Sequence, residues 1–244
     1  MLALISAFFS ATASILEKKA LFKEGAVGFS ALFAVFNLFL AIPFFFFIDF
    51  SSLTTSGLAV LFFKSILGAI AFLCIMYGIK HLELSSALPL LVLTPGLVAI
   101  VAFITLCEAL TGLQILGIVL LLIGTYVLQL QSRQGLFEPW LNFFKTKGYH
   151  YILVALILFT TTSVLDKAIL KNFKVPVNAF MGFQHLFLAV IFLLIVLSLN
   201  KSTEFKHAFR RSWNLILMVS VVTIIYRYTQ LSAVKVALLL LFYH

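Results

Sequence analysis

Apolar runs of about twenty residues recur along this chain, separated by short polar breaks. Wound as helix, a run of that length crosses about 30 Å of hydrocarbon. Nine such segments are read, at about 3–22, 27–48, 57–80, 84–106, 112–130, 150–170, 177–199 and 213–230, with an incomplete one starting near 233. Their residues do not alternate apolar with polar, which excludes a membrane barrel. Most connections are short, so consecutive helices are expected to be antiparallel neighbours. The pattern predicts an all-α polytopic membrane protein.

The longest break, 131–149, reads "QSRQGLFEPWLNFFKTKGY". Its mixture of charges, Pro139 and aromatics suits an interfacial linker lying on the membrane. It separates a block at 1–130 from one at 150–244, and the blocks resemble each other. At an offset of 149, Thr12, Ser14, Leu16, Glu17, Lys18 and Leu21 meet Thr161, Ser163, Leu165, Asp166, Lys167 and Leu170. At 148, "NLFLAIPF" (37–44) meets "HLFLAVIF" (185–192). Leu matching Leu carries little weight in so apolar a chain; a charged phrase in register with an apolar one carries more. Five helices per block is an odd number, so the second block is expected to enter the membrane inverted, with a binding site where the repeats meet. The expected architecture is two inverted repeats of five transmembrane helices, the second truncated in the ninth helix. By the same offset the second block would run to about residue 279, so the chain is expected to be a fragment lacking the tenth helix.

Composition agrees with the pattern. Charged residues make up 10% of the 244, against about 25% in soluble domains. The net charge of +9 would suggest nucleic acid in a soluble protein, but here Lys and Arg belong to loops and lipid headgroups. No basic stripe with interleaved aromatics stands outside the apolar runs, so no nucleic-acid partner is expected. Cys74 and Cys107 fall inside spans and read as packing residues. The five His show no paired spacing, so no metal site is expected. No enzyme motif or phosphate-binding Gly loop occurs, and no cofactor is expected.

Tyr77 and Gly78 close the third segment, and Ser85, Ser86 and Ala87 open the fourth. Pro95 follows mid-helix, then Glu108 in "CEALTGLQ", and Gly117 and Gly124 in the fifth. As a set these resemble the EamA domain of the drug/metabolite transporter superfamily, more weakly in the second block. Cys107 before the Glu and the extra Pro89 depart from the family pattern. The resemblance implies ten helices in two inverted repeats around a central cavity. It also implies an exporter of amino acids or other small metabolites, or a nucleotide-sugar or drug carrier.

An ionisable group inside a span costs several kcal/mol unless paired or wetted. Lys64, about seven residues into the third segment, is the sharpest candidate; it either snorkels or faces a cavity and attracts an anion. Asn37 and His185 are repeat partners, with Gln184 beside the latter. They either hydrogen-bond between helices or line a solute path. Tyr226 and Arg227 close the eighth segment, where Arg can bind a carboxylate bidentately. Thr94 and Pro95 loosen the fourth helix. Ser14 and Ser163 belong to stripes of small residues that either line a watery path or let helices pack closely. Glu17, Lys18, Asp166 and Lys167 lie near helix ends and read as structural or gating charges, and Glu108 reads as a cap on the fifth helix or a proton-coupling group. Gly117 and Gly124 read as structural or gating residues.

The expected function is a secondary transporter of a small metabolite by alternating access, in the cell membrane. The alternatives are a flippase for a lipid-linked intermediate and a non-transporting membrane subunit. The expected partners are a small-molecule substrate and the bilayer, and a homodimer is compatible with the sequence. Basic residues favour the odd-numbered loops, which places the N-terminus outside; the resemblance implies the opposite.

Overall fold

The chain alternates long apolar helices with turns only a few residues long. A computed structural model describes residues 2–82, 94–106, 112–129 and 147–242. Its α-helices are α1 (Leu2–Leu21), α2 (Ala26–Phe45), α3 (Thr55–His81), α4 (Thr94–Leu106), α5 (Gly112–Gln129), α6 (Lys147–Lys171), α7 (Val177–Ser198) and α8 (Ser202–Phe242). Among the described residues five stretches are long and apolar enough to cross a membrane: Ala26–Phe45, Thr55–His81, Gly148–Lys171, Val177–Ser198 and Ser202–Val236. Among the described residues there is no strand. The linker at 131–146 and Glu108 lie outside the described residues.

One predicted boundary is corrected. The eighth and ninth segments, read as separate near 231, are a single helix of 41 residues that begins at Ser202. The polar string "YRYTQ" interrupts the apolar run but contains neither Gly nor Pro, so nothing in the backbone stops the helix.

The chain forms two compact units, Met1–Ala69 with Leu165–His244, and Ile70–Val164. They divide the chain differently from the sequence blocks at 1–130 and 150–244.

In the first unit α8 packs along α1 and α2, and α7 packs on α2 and α8. Gly28 allows a close approach of backbone: a Cβ there would lie 2.7 Å from the carbonyl carbon and oxygen of Glu204. Ser220 Oγ reaches Phe33 O at 3.5 Å, and the rings of Phe44 and Tyr228 lie 5.4 Å apart. Those contacts run α2 and α8 in the same direction. At the start of α2 the buried Glu24 accepts from Ser212 Oγ at 2.6 Å and stands 2.9 Å from His207 Nδ1. Beyond the end of α2, Ile48 joins an apolar cluster with Leu61, Val175, Val177, Phe180 and Leu231. The turn after α1 and the turn after α6 therefore sit at opposite ends of α2, a helix of 20 residues, about 30 Å long. The phrases "LEKK" and "LDKA" close on those two turns.

In the second unit α4 packs on α5, Tyr77 stacks on Tyr151 at 5.5 Å, and Gly78 is crowded by Ile152. Phe103, Ile104, Leu113, Leu120 and Ile123 are exposed, which suits helices bathed in hydrocarbon.

A buried charged cluster as candidate functional site

Four helices of the first unit carry polar side chains into one place. Lys64 lies nine residues into α3, about 13 Å from its start. It lies within an apolar stretch and is only 3% exposed. Its ammonium does not snorkel. Nζ makes an ion pair of 2.8 Å with Asp166 Oδ1 on α6. It donates to Gln184 Oε1 on α7 at 3.0 Å, and lies 4.9 Å from the centre of the Phe180 ring, a favourable cation–π arrangement. From α8, Arg227 Nη2 donates to the same Gln184 oxygen at 3.3 Å and stands 3.7 Å from Asp166 Oδ2. Its Nη1 donates to Gln230 Oε1 at 3.0 Å.

Removing charges from water costs several kcal/mol each, and a buried pair recovers this only with good geometry and full hydrogen bonding. Here Lys64 and Arg227 face one carboxylate, Asp166, and one neutral amide, Gln184. The cluster holds more positive than negative charge. His185, next to Gln184, is 3% exposed, and neither ring nitrogen has a hydrogen-bond partner. Asn37 is equally buried, with Oδ1 unpartnered. It lies between the Phe33–Ser220 and Phe44–Tyr228 contacts, on the stretch of α2 that runs beside Thr223, whose Oγ1 is also unpartnered.

The cluster unites Lys64, Gln184 and Arg227, read from the sequence as cavity residues, and adds Asp166, read as a helix-end charge. Asp166, five residues from the end of α6, is buried and ion-paired to Lys64 on α3. Glu17, its repeat partner, is also buried. Lys18 lies over the Phe22 ring at 5.1 Å, as a headgroup-level lysine would. Lys167 is half-buried.

Other candidates fall elsewhere. Ser14 is half-buried and donates to Ser10 O in its own helix at 3.1 Å. Ser6, on the same stripe, donates to Tyr226 O at 3.1 Å, so that step of the stripe packs helices. Ser163 is half-buried on α6. Tyr77, in the second unit, stacks on Tyr151. Thr94 and Pro95 fall in the first turn of α4 as described. Gly117 and Gly124 have nothing within 4 Å of a notional Cβ, so no close helix contact among the described residues requires them. Nothing in the sequence singles out Phe180, one phenylalanine among 28. Glu24 was also overlooked. Its only signal was an acidic residue in a very short turn.

Residues 1–130 match the EamA-like transporter family, more than half of the 244 residues. No curated protein matches the chain. The family match and the long apolar helices together identify an integral membrane protein, and the chain belongs to the EamA-like transporter family.

Proposed function

We propose that the protein is a secondary transporter, exporting or exchanging a small polar or amphipathic metabolite by alternating access. The observation that carries this is the Lys64–Asp166–Gln184–Arg227 cluster, drawn from four helices and buried in a protein of a transporter family. Intramembrane charges are expensive and mark solute pathways by default. His185 and Asn37 supply polar atoms that no described residue satisfies, as contacts reserved for a solute would. With no phosphate-binding loop in the sequence, the work comes from an exchanged solute or an ion gradient.

The test is solute flux in proteoliposomes holding the full chain, across amino acids, organic acids, nucleosides, sugars and cationic drugs. Lys64→Ala and His185→Ala should lower flux more than they lower expression. Absence of flux for every class rejects the reading.

A further inference from the structure

We infer that the cluster binds the carboxylate of a singly charged organic acid, held by Lys64, Arg227 and His185. Its purpose rests on the transport reading above; its chemistry rests on the hydrogen bonds and charges alone.

The donors are unevenly used. Lys64 Nζ makes two polar contacts, at 2.8 and 3.0 Å, and an ammonium has three donors. Arg227 reaches Gln184 at 3.3 Å and Asp166 only at 3.7 Å. A charge-assisted bond to a carboxylate closes to about 2.7–2.9 Å, so the strongest bonds of this guanidinium are still to be made. His185, which follows Gln184 on α7, adds a buried imidazole with both nitrogens unpartnered among the described residues. An imidazole left dry and unbonded costs free energy that a ligand oxygen recovers.

Charge selects the ligand class. Among the described ion pairs, Lys64 and Arg227 share the single carboxylate of Asp166, which leaves one positive charge uncompensated. A carboxylate cancels that charge. A phosphate monoester, close to doubly charged near neutral pH, overshoots it. An amino acid brings its own ammonium and restores the imbalance. Asp166 serves as the resident counter-ion and keeps Lys64 oriented.

The test is binding to the purified full chain in detergent, read by thermal stabilisation. Benzoate, benzamide, phenyl phosphate and phenylalanine share one ring and differ in the charged head; butyrate and butyramide repeat the comparison on a smaller body. The acids should bind about tenfold or more tighter than their amides, the scale of one charge-assisted bond, and tighter than the phosphate or the amino acid. Arg227→Gln should abolish the preference for acid over amide. Asp166→Asn, which keeps an oxygen for Lys64 but frees a second positive charge, should move preference toward phenyl phosphate. Binding by no acid, equal binding of acid and amide, or preferences unchanged in both variants overturns the proposal. Flux of some solute without a preference for carboxylates would discard this inference and keep the transporter; carboxylate binding without flux would do the reverse.

Discussion

Lys64 Nζ and Asp166 Oδ1 lie 2.8 Å apart, and the two side chains are 4% and 13% exposed. Removing one partner of such a pair strands the other charge in an apolar surround, at a cost of about 3–5 kcal/mol. Removing both and filling the space with apolar side chains costs less. Lys64→Met and Asp166→Leu should each lower the thermal unfolding temperature in detergent more than the double variant does. If the double variant loses the sum of the singles, the two residues are energetically independent.

Glycines separate into two kinds. A Cβ on Gly28 would press on the backbone of Glu204 at 2.7 Å, and backbone cannot turn aside as a side-chain tip can. Gly28→Ala should therefore cost about 1–3 kcal/mol by forcing α2 and α8 apart. Gly117 and Gly124 meet nothing within 4 Å. Alanine there should be neutral or stabilise α5 by up to about 1 kcal/mol through helix propensity. Melting temperatures of the three single variants check both statements. A loss at Gly117 or Gly124 would point to a surface in contact with another copy.

Glu24 ties the α1–α2 turn to α8 through Ser212, and its side chain is 1% exposed. Glu24→Ala should cost about 1–3 kcal/mol, because the Ser212 hydroxyl is left buried without its acceptor. His207 is 56% exposed, so His207→Ala should cost less than about 1 kcal/mol, as exposed ion pairs do. Unfolding of the purified variants, compared side by side, tests the ranking. An equal loss at both positions would mean that the ring contact, and not the hydroxyl, carries the tie.

Much of this was visible in the sequence, for identifiable reasons. A lysine or arginine inside an apolar run announces itself, which is why Lys64 and Arg227 stood out. The Gln184–His185 pair stood out through its alignment with Asn37. Asp166 did not, because a charge five residues from a helix end looks the same whether it meets headgroups or a lysine from another helix. That difference is made by packing between α3 and α6, and periodicity along one helix is blind to it. The continuous α8 was missed because polarity near Arg227 was taken for a break, whereas helices end on backbone chemistry, and "YRYTQLSAV" offers none.

The last prediction concerns direction across the bilayer. The α1–α2 turn and the α6–α7 turn stand at opposite ends of α2, one held through Glu24 and the other through the Ile48 cluster. If α2 spans the membrane, Lys23 and Lys174, both exposed, lie on opposite sides. Around the first turn gather Lys18, Lys19, Lys23, Lys201, Lys206, Arg210 and Arg211; the other end has fewer basic residues, and the positive-inside rule makes the richer end cytoplasmic. In a chain with Cys74→Ala and Cys107→Ala, Lys174→Cys should react with a membrane-impermeant maleimide on intact cells, and Lys23→Cys only after permeabilisation. The opposite assignment would keep the inversion and reverse its direction. Labelling of both from the same side would mean that the two copies of the charged phrase do not face opposite ways, and the inverted repeat would fall with it.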